Sequence, residues 1–183
     1  MVQHLKEALR KKLLSERDAL PKPSVESMSA AIMERLFVRP RFAEARTVAF
    51  YVPKGNEVDT TRMIKHALAA GKEVLVPRTL QEIRFCRFTS FEELEPDRFG
   101  IPAPKICNES LREPDVVIVP GVSFGLCMHR LGYGKGYYDR YLAGSPAYRI
   151  GICFDFQVVE KLPVHEDDER MDEIITEKRL ISL

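Results

Sequence analysis

A strand, helix and strand between residues 47 and 77 constrain the fold of this chain more than any other feature. The apolar runs TVAFYV at 47–52 and EVLVP at 73–77 have the length and the β-branched content of buried strands. Between them, DTTRMIKHALAA at 59–70 predicts a helix that begins after Asp59 as a candidate cap and ends at Gly71. Units of this kind build parallel sheets through right-handed crossovers. The pattern therefore predicts an α/β fold with a largely parallel sheet.

Further strands extend this pattern along the chain. DVVIVP at 115–120 and YRIGICF at 148–154 are apolar runs of strand length, and IRFCRFT at 83–89 predicts a less regular strand. The segment between residues 89 and 115 is rich in proline and predicts loops. We expect Phe99 in this segment to be an ordinary core aromatic. The alternative is that its ring stacks on a flat ligand.

Two helices are predicted before the first strand. Leu5, Leu9 and Leu13 recur at steps of four within residues 2–20, which indicates an amphipathic helix that ends at Pro21. Ser24 is the candidate cap of a second helix that continues to about Val38.

Length and charge exclude several classes of protein. A chain of 183 residues with 45% apolar content can bury one core, and we expect a single domain over residues 1–183. Lys and Arg total 28 against 27 acids, without long runs of like charge, which argues against a general nucleic-acid or lipid binder. Charges at 6–12 interrupt any signal-like apolar run, and no run has membrane-spanning length. We expect a cytoplasmic monomer.

The cysteines and histidines show no catalytic or metal-binding spacing. The four cysteines lie at least twenty residues apart and form no CxxC pair, which predicts reduced and mostly buried thiols. The four histidines form no HxxxH pair, so we interpret them as structural or surface residues.

The strongest functional motif is RLGYGKGYYDR at 130–140. Three glycines alternate within it, Lys135 lies between the last two, and residues 137–143 predict a helix that ends at Gly144. A cationic glycine loop between a strand and a helix can hold phosphate with its backbone N–H groups. The spacing matches neither GxxxxGK[ST] nor GxGxxG, so an ordinary glycine-rich connection remains the alternative.

Three groups of charged residues have both a structural and a functional interpretation. Lys6 and Arg10 lie four residues apart on one helix flank, either as a solvated face or as a clamp for an anion. Glu57 follows a turn after the first strand, where it either faces solvent or joins a site. The acidic residues 166–169 form either a solvated loop or, together with Asp139, a site for Mg²⁺.

These motifs together resemble the 5-formyltetrahydrofolate cyclo-ligase family over nearly the whole chain. The matching segments are KxxLR at 6–10, YxPxxxE at 51–57, PGxxF at 120–124, RLGYGKGYYDR, and DxxxD at 168–172 before EIITE. The resemblance implies an α/β/α sandwich around a largely parallel sheet, similar to sugar-phosphate isomerases and CoA transferases. It also implies ATP- and Mg²⁺-dependent conversion of 5-formyltetrahydrofolate to 5,10-methenyltetrahydrofolate.

The resemblance also implies roles for individual residues. The residues implied for ATP are Lys6, Arg10, Arg130, Leu131, Gly132, Tyr133, Gly134, Lys135, Gly136, Tyr137 and Tyr138. Those implied for the folate are Arg10, Val52, Glu57, Tyr133, Gly134, Lys135, Gly136 and Tyr137. Arg130 and Lys135 would stabilise the transferring phosphoryl group, and Asp139 and Asp168 would hold Mg²⁺, with Asp172 as the second acid of that motif. Gln157 matches the family without an assigned role.

The chain departs from the family pattern at two positions. The family has Asp after the phenylalanine of PGxxF and Gly two residues before the arginine, whereas this chain has Gly125 and Met128. We therefore expect the turn that leads into the glycine loop to be built differently.

Two other functions are compatible with an α/β fold of this kind. One is a catalytically silent folate or nucleotide binder, which loss of Lys135, Asp139 or Arg10 would have favoured, but all three are present. The other is a sugar-phosphate isomerase, which needs a phosphate site and a carboxylate but no nucleotide. An assay with and without ATP separates the three functions.

Overall fold

The structure, a computed structural model, describes residues 2–110 and 112–183. The helices are α1 Val2–Asp18, α2 Lys22–Phe37, α3 Pro40–Glu44, α4 Thr61–Ala69 and α5 Tyr137–Ala143. The strands are β1 Thr47–Ala49, β2 Glu73–Thr79, β3 Ile83–Phe88, β4 Leu94–Pro96, β5 Pro102–Pro104, β6 Val116–Val119, β7 Ser123–Gly125, β8 Arg130–Leu131, β9 Tyr148–Ile152, β10 Val158–Val159, β11 Glu173–Ile175 and β12 Leu180–Ser182.

The main sheet has seven strands in the order β12-β11-β9-β6-β1-β2-β3. The five inner strands are parallel, and an antiparallel strand closes each edge. Three further strands, β10, β7 and β8, form a small second sheet, and β4 pairs with β5. The predicted α/β class and the largely parallel sheet are therefore confirmed.

Apolar side chains cover both faces of the main sheet. On one face, Ile32 and Leu36 of α2, Phe42 of α3 and Ile64 of α4 pack with alternate residues of the strands. On the other face, Leu142 of α5 packs with Ala49, Leu75, Val117, Phe124 and Ile174. Successive side chains of a strand point to opposite faces, which is why fully apolar runs are needed here. The arrangement is consistent with a three-layer α/β/α sandwich.

Several element boundaries differ from the sequence predictions. Helix α2 begins at Lys22, so Ser24 lies in its first turn, and the expectation that Ser24 caps this helix is wrong. Pro21 occupies the cap position, and Pro23 is tolerated in the first turn because its missing N–H would have no partner there. The proline-rich segment predicted as loops contains the β4–β5 hairpin. No helix within the described residues is long and apolar enough to cross a membrane.

The expectation of four reduced cysteines is wrong. Cys86 of β3 and Cys107 form a disulfide with Cα atoms 5.0 Å apart, while Cys127 and Cys153 are free. The covalent link holds the segment after β5 beside β3, where Arg87 N also donates to Asn108 O at 2.8 Å. This segment therefore covers an edge strand that would otherwise expose its hydrogen-bonding groups. Sequence spacing could not reveal the pair, because the hairpin between the two cysteines determines their separation in space.

Reduction of this disulfide is expected to destabilise the protein. The bond closes a loop of 21 residues, and releasing such a loop in the unfolded chain costs about 3 kcal/mol in the chain-entropy model. Thermal unfolding with and without dithiothreitol should therefore show a lower Tm under reduction. Cys86→Ser should match the reduced protein, while Cys127→Ser should retain the full response to the reductant. An identical Tm in oxidant and reductant would contradict this prediction.

Candidate functional site

The candidate site lies where the strand order of the main sheet reverses. The chain proceeds from β1 to β2 on one side of β1 and then returns to β6 on its other side. In open α/β sheets, loops that follow the strands on either side of such a switch point enclose a ligand crevice. The loop with Glu57 follows β1, and the loop of residues 132–136 follows β6 through the β7–β8 hairpin.

Helix α1 contacts both of these loops with a charged face. Its buried residues are Lys6, Leu13 and Arg17, and Arg10 donates from Nε to Gly132 O at 2.8 Å. Of the predicted apolar face of α1, Leu13 is buried as expected, but Leu5 is 53% exposed, so the prediction is wrong at Leu5. The inner face follows positions 6, 10, 13 and 17 instead, because α1 lies over a polar loop rather than over the apolar core. The interpretation of Lys6 and Arg10 as a solvated flank is thereby excluded.

Glycines shape the loop that α1 covers. Gly134 has φ +92°, a left-handed conformation that side chains rarely adopt, and Gly136 has φ +65° at the cap position of α5. Gly132 leaves room for Arg130, because a Cβ atom at residue 132 would lie 2.7 Å from Arg130 Nη1. The glycines therefore permit a tight loop with a buried arginine beneath it.

Arg130 is the buried cation of the loop. It is 5% exposed, and its Nη2 lies 3.1 Å from Oδ2 of Asp139 in the first turn of α5. Its guanidinium also lies 5.3 Å from the centre of the Tyr138 ring. Burial lowers the pKa of Arg130, and the Asp139 carboxylate opposes this effect. Burial likewise raises the pKa of Tyr138, so its hydroxyl stays protonated at neutral pH.

The two acids predicted to hold a metal ion meet beside this loop. Asp168 Oδ2 lies 2.5 Å from Lys6 Nζ, and Glu169 N lies 3.4 Å from Asp139 Oδ1, so both acids lie at the same end of the loop. Burial would raise the pKa of Asp168, but hydrogen bonds from Lys6 and from His165 N outweigh it, and the pKa falls below its ordinary value. Asp168 therefore remains a carboxylate at neutral pH.

Asp172 lies apart from this pair. Its Oδ2 accepts from Arg149 N at 2.7 Å, at the start of β9. One carboxylate oxygen of Asp172 is thus hydrogen-bonded to the backbone of the sheet. Asp172 therefore stabilises the sheet rather than the loop. The DxxxD motif contributes one acid to the site and one to the fold.

The loop leaves one lysine exposed. Lys135 is exposed, and its side chain makes no hydrogen bond or ion pair within residues 2–110 and 112–183. Nearby, Tyr137 accepts from Arg98 Nη2 at 3.2 Å. The Phe99 ring is 36% exposed and lies 6.4 Å from that of Tyr137, so the expectation that Phe99 belongs to the core is wrong. The surface around Lys135 is therefore both cationic and aromatic.

Glu57 is held beside the loop by two hydrogen bonds. It is 7% exposed, its Oε2 accepts from Lys54 N at 2.9 Å, and its Oε1 accepts from the Tyr133 hydroxyl at 2.7 Å. The Tyr133 hydroxyl also accepts from Arg17 Nη2 at 2.7 Å. Val52, which precedes this turn, is 7% exposed and packs in the apolar cluster, so its contact with a ligand stays a prediction.

Gln157 connects two loops at the carboxyl ends of β6 and β9. It is 2% exposed, its Oε1 accepts from Phe154 N at 3.0 Å, and its Nε2 donates to Val122 O at 2.9 Å and to Gly121 O at 3.3 Å. The two bonds from Nε2 fix the backbone of the PGVSF segment at residues 120–124. The role of Gln157 is structural, which its spacing in the sequence could not indicate.

Replacement of Gln157 by alanine is expected to lower the free energy of unfolding by about 3 kcal/mol, since it leaves buried backbone groups without partners. Urea denaturation monitored by circular dichroism measures this change. The exposed Gln81 provides the control, and Gln81→Ala should stay within about 0.5 kcal/mol of the wild type. Equal denaturation midpoints for the two variants would contradict the structural role of Gln157.

The turn before the loop contains both departures from the family pattern. Met128 has φ +67°, the left-handed region that favours glycine, and its N–H donates to Gly125 O at 2.9 Å. Its side chain is fully buried, and this burial offsets the backbone cost of about 1 kcal/mol. A side chain at Gly125 would begin 2.9 Å from Cys127 Sγ and from Leu162 Cβ. This chain therefore forms the turn with a methionine in the glycine conformation.

Unpartnered polar atoms also mark this site. Of the buried side-chain nitrogen and oxygen atoms in the described residues, those without a partner are Arg17 Nε, His129 Nδ1, Arg130 Nε and the Tyr138 hydroxyl. All four belong to α1 or to residues 129–138. Buried polar groups are nearly always hydrogen-bonded, so such a cluster is typical of a ligand site.

The sequence analysis missed two residues of this region. Arg17 continues the inner face of α1, and its spacing of seven residues from Arg10 was a usable signal. Asn56 was interpreted only as part of a turn, but its Nδ2 donates to the carbonyls of Arg17 and Leu20, both at 3.0 Å. It therefore attaches the end of α1 to the loop that carries Glu57.

Comparisons with known proteins agree on one family. The sequence model of the 5-formyltetrahydrofolate cyclo-ligase family matches residues 2–177. The 5-formyltetrahydrofolate cyclo-ligase of Escherichia coli K12 is 32% identical over 174 residues, covering 90% of this chain and 96% of the relative. A probable 5-formyltetrahydrofolate cyclo-ligase of Caenorhabditis elegans is 29% identical over 199 residues, covering 98% and 96%. The NMR structure of Aquifex aeolicus 5,10-methenyltetrahydrofolate synthetase superposes with a TM-score of 0.87 at 36% identity, covering 98% of this chain and 93% of that protein.

Proposed function

The chain belongs to the 5-formyltetrahydrofolate cyclo-ligase family, and we propose that it cyclises 5-formyltetrahydrofolate to 5,10-methenyltetrahydrofolate with ATP and Mg²⁺, releasing ADP and phosphate. The observation that carries this proposal is the convergence of Lys6, Arg10 and Arg130 at a glycine loop, beside which the carboxylates of Asp139 and Asp168 also lie. Cations and hard carboxylates around a loop suit a nucleotide triphosphate with its metal ion.

The chemistry requires activation of an unreactive formyl group. The formyl group on nitrogen 5 is an amide, and its oxygen is a poor leaving group. Attack of this oxygen on the γ-phosphorus of ATP forms a phosphorus–oxygen bond, breaks the bond to the β-phosphate and releases ADP. Nitrogen 10 of the resulting imidate phosphate then attacks the formyl carbon, loses its proton, and the carbon–oxygen bond breaks to release phosphate. Positioning and charge neutralisation supply most of the catalysis for steps of this kind.

The loop and α1 supply the cations for the phosphate groups. An ion pair with Asp139 fixes Arg130, and a hydrogen bond to Gly132 O fixes Arg10 to the loop backbone. Lys135 lies on the exposed surface of the same loop, where its ammonium group can stay close to the phosphoryl group during the transfer. We assign Arg130 and Lys135 to charge stabilisation in the transition state, and residues 131–138 with Lys6 and Arg10 to the binding of ATP.

Asp139 and Asp168 fit a magnesium site. Both side chains are partly exposed, at 20% and 17%, and both present carboxylate oxygens to the same end of the loop. Mg²⁺ takes one or two carboxylates together with phosphate oxygens and water, so two acids suffice. When bound, the ion would neutralise the β- and γ-phosphate oxygens. Lys6 and Arg130, which pair with these carboxylates here, would then be available to the phosphates.

The folate would lie beside Glu57 and the tyrosines of the loop. Glu57 offers a carboxylate to the N–H groups of the pterin ring, and Tyr133 and Tyr137 offer aromatic surface. Arg10, Val52 and residues 133–137 complete the set that we assign to this substrate. The loop would thus serve both ligands at once, with its amides and cations toward ATP and its tyrosines toward folate.

We further propose that the enzyme acts as a cytoplasmic monomer on small-molecule substrates, without nucleic acid or membrane partners. Its near-neutral charge, +1 over the full sequence, gives no general affinity for polyanions. Sedimentation of the purified protein and its detection in cell fractions test these two statements.

One assay tests the function. Protein, 5-formyltetrahydrofolate and Mg²⁺ are mixed, and methenyltetrahydrofolate is followed by absorbance with and without ATP. We expect product only with ATP, and one ADP for each product. The absence of ATP-dependent product would refute the proposal, and a sugar-phosphate isomerase would instead act without nucleotide.

A further inference from the structure

The carboxyl end of α1 carries an arginine that none of the assignments above uses. Arg17 is 4% exposed, and its Nη2 donates to the Tyr133 hydroxyl at 2.7 Å. That hydroxyl donates in turn to Glu57 Oε1 at 2.7 Å. Arg17 Nε is buried and has no partner within the described residues. A short hydrogen-bonded series, Arg17 to Tyr133 to Glu57, thus joins α1 to both loops of the site.

The direction of this series is fixed by chemistry. A guanidinium can only donate and a carboxylate can only accept, so the hydroxyl between them must accept from Arg17 and donate to Glu57. Burial, with the Glu57 carboxylate as the next cause, raises the pKa of Tyr133 to about 12. The hydroxyl therefore keeps its proton at neutral pH. The rotation of this hydroxyl is restricted, because any other orientation of its proton loses the bond to Glu57.

The series also orients an exposed aromatic ring. Tyr133 is 48% exposed although its hydroxyl is held on both sides. The Arg17 guanidinium lies 5.9 Å from the centre of the ring. An exposed ring whose polar end is fixed offers a flat surface at small cost in conformational entropy. Glu57 remains able to accept further bonds, because each carboxylate oxygen has two lone pairs.

We propose that Arg17 is a positioning residue for the folate side of the site, which holds the Tyr133 ring and the Glu57 carboxylate in the arrangement that binds the pterin. This inference rests on the proposed function, since it assigns Glu57 and Tyr133 to the folate. Arg17 acts through these two residues and contributes to folate binding rather than to the phosphate chemistry.

A purely structural role for Arg17 is the alternative. Arg17 could serve only to anchor α1, and Asn56 anchors the same helix end through the carbonyls of Arg17, Asp18 and Leu20. Asn56 makes this attachment without contacting Tyr133 or Glu57 through its side chain. Asn56→Ala is therefore the matched comparison, because it loosens the end of α1 while Arg17 keeps its guanidinium.

Steady-state kinetics with both substrates test the proposal. Arg17→Met should raise the KM for 5-formyltetrahydrofolate about tenfold and change the KM for ATP less than about twofold. Tyr133→Phe should raise the same KM, and the double variant should be no worse than the poorer single variant, because both changes break one series. Arg17→Lys, which keeps a charged donor, should recover part of the lost affinity. Asn56→Ala should lower the Tm but raise the KM for 5-formyltetrahydrofolate less than Arg17→Met does, because the guanidinium of Arg17 remains.

The outcomes are distinguishable. A wild-type enzyme without ATP-dependent product would overturn the proposed function and this inference together. An active wild type whose Arg17→Met variant changes both KM values equally, or only the Tm, would overturn the inference alone. Additive losses in the double variant would also overturn it. If Arg17→Met fails to fold, Arg17→Lys and Tyr133→Phe test the inference instead. A rise in the KM for folate alone supports it, and an equal change in both KM values overturns it.

Discussion

Replacement of Lys135 by alanine is expected to lower kcat by at least ~100-fold while the fold is retained. Lys135 is exposed, and its side chain has no bonding partner in the described part of the chain, so its removal breaks no contact that stabilises the protein. In the proposed reaction its ammonium group stabilises charge on the transferring phosphoryl group. Removal of one such preorganised group typically costs 100- to 1,000-fold in kcat. Turnover at saturating ATP and folate, together with thermal unfolding, measures both parts of the prediction.

Lys11 provides the control for Lys135. It is an exposed lysine on α1, one residue after Arg10, and its removal changes the net charge equally. Lys11→Ala should keep kcat within about twofold of the wild type, as expected of a surface change away from the reacting groups. If Lys135→Ala turned over at the wild-type rate, Lys135 would have no place among the catalytic residues.

Asp139→Asn is expected to abolish most activity through two separate effects. The amide is a poor ligand for Mg²⁺, so the concentration of Mg²⁺ needed for half-maximal activity should rise at least ~10-fold. The substitution also leaves Arg130 buried without its paired carboxylate, which should cost about 2 kcal/mol of stability because the pair is only partly exposed. Activity should therefore be titrated with Mg²⁺ well below the Tm of the variant.

Asp172 separates the metal effect from a general loss of acidic charge. It lies four residues after Asp168, but its carboxylate accepts from Arg149 N at the start of β9. Asp172→Asn should lower the Tm slightly and leave the Mg²⁺ titration unchanged. A normal titration for Asp139→Asn would remove Asp139 from the metal site, and a shifted one for Asp172→Asn would mean that metal binding depends on the fold in general.

The parallel sheet could be predicted because its strands are covered on both faces. Burial on two sides demands continuous apolar runs, and β1, β2, β6 and β9 each lie within such a run in the sequence. The three-residue strands β11 and β12 were missed, since EII and LIS are too short to show a period. β11 forms by pairing with β9, and β12 by pairing with β11, so both depend on tertiary contacts rather than on their own composition.

The site was predictable only in part, for a different physical reason. The glycine loop has a local signature, and family resemblance supplied Lys6, Glu57 and Asp168 as its distant partners. Pattern analysis of α1 predicted the helix and its buried Leu13, but it missed the buried cations because it assumes that a buried helix face is apolar. Here the buried face is charged and lies over a polar loop, so Leu5 faces solvent and Lys6 does not. The disulfide and the bonds of Gln157 depend on where loops fold in space, which spacing does not encode.

The charged face of α1 also fixes a distance. Lys6 and Arg17 are eleven residues apart, which at about 1.5 Å per residue separates their backbones by about 16 Å along the helix axis. One end of this span meets Asp168 and the other meets Tyr133. In the proposed arrangement, the continuous helix α1 therefore sets the distance between the nucleotide end and the pterin end of the site. Insertion of a single residue between Arg10 and Arg17 would rotate the second half by about 100° and separate the two halves of the site without altering any residue in either.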